Sequence, residues 1–235
     1  MIDVHTHILP QMDDGSKSAE QSVQMLNAMQ AQGVRLLAAT PHFDMRKENI
    51  DEFLARRSEA IKRLNAARTE DDPKIIPGAE VLYCGVSLSR MEKVEKLCIG
   101  DGNYMLVETL TMQWDDFFED CLYQLLAEQN ITPIVAHIDR YLPYRKNRAI
   151  LHRLKNRGVL MQVNAGFFLR RLSRGRALRL LKNGMIHVIG SDCHDTVRRP
   201  PNLGVAGAVI EKHLGKQYTM QLTRQAEHVL MKQDR

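Results

Sequence analysis

Among the histidines and carboxylates of this 235-residue chain, nine are candidate metal ligands by type and position: His5, His7, Asp14, His42, Glu80, Glu108, His137, Asp192 and His194. The first of them lie in the opening stretch MIDVHTHILPQMDDG. There Asp3, His5 and His7 alternate with Ile2, Val4, Thr6 and Ile8, a period of two that in a β-strand turns the acid and both histidines to one face. Two imidazoles at i, i+2 on one strand can grip a single ion, since neutral histidine is the commonest ligand for such metals. Pro10 ends the strand, and Asp13-Asp14-Gly15 reads as a turn offering a further carboxylate. A lone HxH pair fits an ordinary core strand equally well, so the weight falls on the other positions.

Those positions can act together only if the chain brings them to one place. After the first strand, Ser16 or Ser18 is suited to cap a helix running to about Gln32, with Val23, Leu26 and Met29 buried and Gly33 as its stop. Strands are expected at 34–40, 74–81, 104–109, 131–136, 159–164 and 185–191. Between and after them the pattern predicts helices at 49–67, 114–129, 148–157, 174–184, 205–214 and 218–231, with a short or irregular one at 86–97. In the 114–129 helix Phe117, Phe118, Leu122, Leu125 and Leu126 are candidates for the core. Some seven alternations of strand and helix predict an α/β fold with a parallel sheet in one domain, 1–235, closed or nearly closed into a barrel. The length agrees, since such barrels typically need ~250 residues.

On this reading the candidate ligands collect at strand ends. His5 and His7 end strand one and His42 strand two, Glu80 ends strand three and Glu108 strand four, His137 ends strand five, and Asp192 and His194 end strand seven. In parallel barrels that C-terminal rim is where active sites form. Each residue alone has a bland reading as a satisfied core group. Burying all of them together would be costly without cations to neutralise the carboxylates. Nine ligands exceed what one ion can use, so two or three ions are implied, with a carboxylate bridging. Mixed imidazole and carboxylate without thiolate suits Mn²⁺, Fe or Zn²⁺ over a structural cysteine-zinc centre. Such a cluster hydrolyses phosphate esters by lowering the pKa of a bound water, clamping phosphoryl oxygens and stabilising the leaving oxygen. Arg140, in AHIDRY, and Arg199, in SDCHDTVRRP, fit as phosphate clamps because a guanidinium matches phosphate bidentately. Surface arginines on a basic protein are the rival reading for both.

Composition narrows the classes. With 44% hydrophobic and 26% charged residues the chain reads as soluble and globular, and no window approaches a membrane span. Four scattered cysteines, Cys84, Cys98, Cys121 and Cys193, and the lack of a signal-like N-terminus lead us to expect reduced thiols and a cytoplasmic setting. The net charge is +5, concentrated between Arg140 and Lys182. That stretch has no interleaved aromatics and no nucleic-acid module, so nucleic-acid binding is not expected. Cys193 and Arg199 share the C-x5-R spacing of cysteine-based tyrosine phosphatases, but the intervening HDTVR is not the glycine-rich cradle that a thiolate nucleophile requires. If strand geometry persists through Asp192 and His194, Cys193 points away from both and serves as packing.

The stretches IDVHTHILPQMDDGS, ATPHF, PGAEVLY, the Glu108 strand, VAHIDRY, QVNAGF and IGSDCHD together resemble the PHP (polymerase and histidinol phosphatase) family. More narrowly, they are similar to its manganese-dependent bacterial tyrosine-protein phosphatases of capsule and exopolysaccharide biosynthesis. The resemblance covers residues 2 to about 201. It implies a distorted (β/α)7 barrel, TIM-barrel-like, with a trinuclear centre at the C-terminal ends of the strands. His5, His7, Glu80 and Asp192 would hold one ion, Glu80, Glu108 and His137 a second, and Asp14, His42 and His194 a third, with Arg140 and Arg199 on the phosphate. It leaves Asp3 a supporting carboxylate below the site. The implied cofactors are two to three divalent ions, manganese first, with Fe or Zn²⁺ as alternatives. The implied substrate is a phosphotyrosine protein, an autophosphorylating tyrosine kinase of polysaccharide export with a tyrosine-rich tail. Homo-oligomerisation is left open. The family pattern is departed from at Thr109-Leu110, where it usually has Phe-Pro, and at Ile138-Asp139, where it often has Pro-Glu. The rival readings are a histidinol-phosphate phosphatase of the same family, a metal-dependent nuclease or amidohydrolase barrel, and a catalytically silent PHP scaffold.

Overall fold

The computed structural model describes residues 1–231. Its strands are β1 (Ile2–Thr6), β2 (Leu36–Ala39), β3 (His42–Phe43), β4 (Lys74–Pro77), β5 (Glu80–Tyr83), β6 (Tyr104–Thr109), β7 (Thr132–Val135), β8 (Leu160–Asn164) and β9 (Val188–Gly190). Every pairing between them is parallel. The expected strand 34–40 is β2, with the short β3 added beyond a break at Thr40-Pro41, and the expected strand 74–81 is split at Gly78-Ala79 into β4 and β5. Proline has no N–H to give the ladder. Even so, Gly78 N–H donates to Ala39 O at 2.8 Å and Glu80 N–H to Pro41 O at 3.0 Å, so pairing continues across both bends. Counting β2–β3 and β4–β5 as two bent strands gives seven. The ring then closes between β9 and β1, where Asp192 N–H donates to His5 O at 2.9 Å and His7 N–H to Cys193 O at 3.0 Å. This is the distorted (β/α)7 arrangement the sequence implied.

The helices are α1 (Ala19–Gln30), α2 (Ile50–Ala67), α3 (Asp116–Gln129), α4 (Arg145–Asn156), α5 (Gly166–Leu169), α6 (Arg171–Lys182), α7 (Leu203–Leu214) and α8 (Lys216–Leu230). Ser18, not Ser16, caps α1, accepting from Gln21 N–H, and Asn49 with Glu52 forms a reciprocal capping box on α2. The 86–97 segment resolves into two 3-10 turns, Leu88–Arg90 and Val94–Leu97. The short α5 was not anticipated. Phe117 is not in the core: once Asp115 caps α3 by accepting from Phe118 N–H, the inward face is Phe118, Cys121, Leu122 and Leu125, and Phe117 is 77% exposed. One apolar cluster lies among the strands and surrounding helices. A second joins Ile2, Val4, Leu36, Leu106, Ile134 and Val188 to Ala226, Val229 and Leu230 of α8. Among the described residues no helix is long and apolar enough to cross a membrane.

Candidate metal centre

The bends place ligands as well as strands. His42 opens β3 and Glu80 opens β5, opposite one another in register, so these two lie just past the breaks and not at strand ends as expected. Glu108 is next to last in β6, His137 follows β7, and Asp192 and His194 follow β9. Two glycines make the close approaches possible. A Cβ on Gly190 would lie 2.4 Å from His5 Cβ, and one on Gly15 would lie 2.3 Å from His7 O. Their absence lets β9 press against β1 and folds the Asp13-Asp14 turn back over His7. His137 (φ 32°) and Asp192 (φ 54°) sit in the left-handed region, backbone strain of a kind found at functional sites.

All nine candidate ligands meet. His5 Nε2 lies 3.1 Å from His7 Nε2 and 3.1 Å from Glu80 Oε2, while Asp192 Oδ1 is 3.6 Å from His5 Nε2 and 3.5 Å from His7 Nε2. His137 Nε2 is 3.0 Å from Glu80 Oε1 and 3.3 Å from Glu108 Oε2. His42 Nδ1 faces Glu80 at 3.1 Å and Glu108 at 3.0 Å. Asp14 Oδ1 stands 3.5 Å from His42 Nε2 and 3.3 Å from His194 Nε2. Three groups have one donor atom per residue within 4.8 Å of one another: His5, His7 and Glu80; His42, Glu80 and Glu108; and His7, Asp14, His42 and His194. They overlap the sets implied by resemblance without matching them: His7 and His42 each reach into two groups, and His137 and Asp192 fall in none of the three. His5, His7, Glu80, His137, Asp192 and His194 are buried, whereas Asp14 is 65% exposed and forms the outer edge.

The donor set fits divalent cations. Ligands bonded at right angles at about 2.1 Å are about 3.0 Å apart, the spacing at which several of these nitrogens and oxygens face one another. His194 Nε2 is buried and makes no hydrogen bond despite Asp14 nearby, a lone pair well placed for a cation. The electrostatics agree. Burial alone would raise the carboxyl pKa values of Glu80 and Asp192, but the surrounding histidines hold both down. Burial alone would lower the His7 pKa, but Asp13, Asp192 and Glu80 drive it well above its ordinary value. Positive charge is demanded at this spot, and cations that bind here displace the protons.

Asp13, Gln162 and Asn164 are parts of the site that the sequence reading missed. Asp13 Oδ2 accepts from His7 Nδ1–H at 2.7 Å and from His42 N–H at 2.9 Å, fixing the tautomer that turns His7 Nε2 inward. Gln162 Oε1 accepts from His137 N–H at 2.5 Å and lies 3.4 Å from His5 Nδ1. Asn164 Nδ2 donates to Asp192 Oδ2 at 2.7 Å. The period-two spacing of Gln162 and Asn164 in QVN was the available signal. Asp3 is buried at the β1–β9 seam, accepting from Ser191 N–H at 2.9 Å and His5 N–H at 3.2 Å. It supports the site from below.

The two arginines stand at the mouth. Arg140 Nη2 donates to Asp192 Oδ2 at 2.8 Å and Arg199 Nη2 to Asp192 Oδ1 at 2.7 Å, so the guanidiniums hold opposite oxygens of one carboxylate and remain partly exposed. Asp195 spends one oxygen on the N–H groups of Val197, Arg198 and Arg199 and so shapes the Arg199 loop. Cys193 is fully buried, and burial pushes its thiol well above the ordinary range. Strand geometry ends at Gly190 and does not persist to it as supposed. Its backbone is instead bridged to β1, and a buried thiol of this kind is no thiolate nucleophile.

A parallel barrel whose rim gathers five histidines and four carboxylates beneath paired guanidiniums defines an α/β barrel built for a multinuclear metal centre. Residues 1–232 match the family described as capsular polysaccharide synthesis, CpsB/CapC, and the chain belongs to that family. It is 32% identical to tyrosine-protein phosphatase YwqE of Bacillus subtilis over 239 residues, covering 99% of this chain and 92% of the relative. It is also 32% identical to tyrosine-protein phosphatase CpsB of Streptococcus pneumoniae over 235 residues, covering 94% of each. A crystal structure from the pair YwqE and CpsB, described as unique metal-dependent tyrosine phosphatases, matches with a TM-score of 0.83 at 28% identity over 98% of this chain and 94% of that one.

Proposed function

We propose that this chain is a metal-dependent protein-tyrosine phosphatase of capsule or exopolysaccharide synthesis. The observation that carries the reading is the pair Arg140 and Arg199, set on opposite oxygens of Asp192 at the mouth of the histidine and carboxylate cluster. His5, His7, Glu80 and Asp192 would hold one divalent ion, Glu80, Glu108 and His137 a second, and Asp14, His42 and His194 a third. Glu80, whose Oε2 faces His5 and whose Oε1 faces His137, is the carboxylate that would serve both of the first two ions. Manganese is our choice of ion. Bound there, such ions lower the pKa of water and draw charge from phosphoryl and leaving oxygens.

The chain's own residues do the rest. Arg140 and Arg199 orient the phosphoryl oxygens with hydrogen bonds that strengthen as charge builds on them. A cavity of about 960 Å³ adjoins the cluster, and its lining combines Asp14, His42, Glu108 and other charged groups with Met12, Leu82 and Leu110. Apolar side chains among charged ones suit a phenyl ring carrying a phosphate. Tyrosinate leaves with a pKa near ~10, so little help is needed from a general acid. The physiological substrate on this reading is an autophosphorylating tyrosine kinase with a tyrosine-rich tail, met in the cytoplasm, where the four free cysteines would stay reduced. Residues 1–235 act as one PHP domain.

The test is hydrolysis of a phosphotyrosine peptide by metal-stripped protein titrated with Mn²⁺, Zn²⁺, Fe²⁺ and Mg²⁺. Activity should be absent without metal and return with Mn²⁺ foremost. Much faster turnover of histidinol phosphate would transfer the chain to the neighbouring activity. Failure to bind any metal on reconstitution would favour a scaffold.

A further inference from the structure

A second, smaller cavity of about 210 Å³ is lined by the candidate ligand Asp192 and by the two arginines bonded to it, Arg140 and Arg199. Its outer wall adds Arg170, at the start of α6, and Arg198, in the loop that Asp195 ties down. The two cavities treat their cations differently. In the larger one Arg46 is bonded to Asp44 at 2.8 and 2.7 Å, and Arg56 to Glu48 at 2.6 and 2.7 Å. In the smaller one the guanidiniums of Arg170 and Arg198 make no hydrogen bond or ion pair with any described residue. Its carboxylates cannot serve them. Asp192 is held by Arg140, Arg199 and Asn164, and Asp139 is turned to the Asn164 N–H at 3.0 Å. Arg170 also heads α6 with no side-chain cap on that helix end, adding partial positive charge.

We propose that this arginine-walled cavity is a subsite for a second anionic group of the substrate chain, a carboxylate or phosphate on a residue flanking the phosphotyrosine. The phosphotyrosine ring enters by the larger cavity, its phosphate lies between Arg140 and Arg199, and the neighbouring anion reaches Arg170 and Arg198. The small volume, walled by guanidiniums, suits an anionic head group. This subsite rests on the phosphatase reading above.

The experiment compares three peptides, each with one target phosphotyrosine and with alanine, aspartate or a second phosphotyrosine beside it, together with a small aryl phosphate that cannot span both cavities. Wild-type protein should process the two anion-flanked peptides with kcat/KM about tenfold above the alanine peptide, the gain carried in KM and shrinking as salt rises. Preference for the aspartate or the phosphotyrosine neighbour tells carboxylate from phosphate. Arg170→Gln with Arg198→Gln should abolish the gain while small aryl phosphate turnover and Tm stay unchanged, both side chains being exposed. Equal turnover of all three peptides by the wild type, or a gain that survives in the double variant, would overturn the subsite alone. No turnover of any phosphotyrosine compound by metal-loaded protein would overturn the phosphatase reading and the subsite with it.

Discussion

Asp13→Asn isolates the part of the site that touches no candidate cation position. The native carboxylate accepts from His7 Nδ1–H at 2.7 Å, from His42 N–H at 2.9 Å and from Gly15 N–H at 2.8 Å. An ionised carboxylate can only accept, so when a bound cation displaces the second proton the remaining His7 proton stays on Nδ1 and the Nε2 lone pair is presented toward Glu80 at 3.3 Å and Asp192 at 3.5 Å. An amide removes the charge and can present an N–H instead, which would favour the opposite tautomer and put a proton where a ligand lone pair belongs. Loss of such a supporting carboxylate typically weakens metal affinity by about 10- to 100-fold, equivalent to about 1.4–2.7 kcal/mol. The assay is phosphotyrosine-peptide hydrolysis against free Mn²⁺ in a metal buffer, paired with a direct metal-binding isotherm. The half-saturating concentration should rise by that factor, with turnover at saturating metal changed only a few-fold. Asp13→Ala should shift it further and lower Tm, since the turn at Gly15 loses its acceptor too. An unchanged midpoint in the asparagine variant, or a turnover loss that metal does not rescue in folded protein, would refute the idea that Asp13 acts by orienting His7.

Cys193→Ser should retain most activity while Asp192→Asn or His194→Ala loses it, and the reverse pattern in steady-state kinetics would overturn the metal mechanism. Gly190→Ala sets a Cβ 2.4 Å from His5 Cβ and 3.2 Å from His5 N, so calorimetry should show a loss of about 1–3 kcal/mol together with reduced metal occupancy. Gly175→Ala on α6, with nothing within 4 Å, should instead gain up to about 1 kcal/mol. His187 is pushed down to about 4 by burial and by Lys155, and its Nδ1 accepts from Met161 N–H at 3.0 Å. The unfolded chain therefore binds a proton near pH 6.5 that the folded chain refuses until about 4, so stability present above pH 6.5 is lost as pH falls across that window. Urea titrations at pH 7.5 and 5 should show a smaller acid loss in His187→Gln, by up to about 2 kcal/mol.

Residue type and local period were enough to reveal the strands, their order and the nine polar positions near their ends, because an apolar run or an i, i+2 alternation is a property of a few neighbouring residues. The same signals could not locate the breaks at Pro41 and Gly78, where pairing bends without stopping. They could not separate Phe117 from Phe118 until the cap on α3 set the phase of that helix. Asp13 read as a turn residue beside Asp14 because only the close approach permitted by Gly15 turns one carboxylate inward to His7 and leaves the other at the rim. Gln162 and Asn164 carried no chemical signature of their own, since an amide becomes part of a site only through the partner that closure sets against it. His5 and Asp192 are far apart in the chain and meet because β9 closes on β1 through a glycine with no Cβ to hold them apart. The sequence by itself singled out the nine candidate ligands and the two candidate phosphate-binding arginines. Tertiary structure alone decided which atoms face one another, which carboxylates support histidines and which face the cluster, and that the guanidiniums of Arg170 and Arg198 make no close ion pair among the described residues, since these depend on distances between elements that no local pattern encodes.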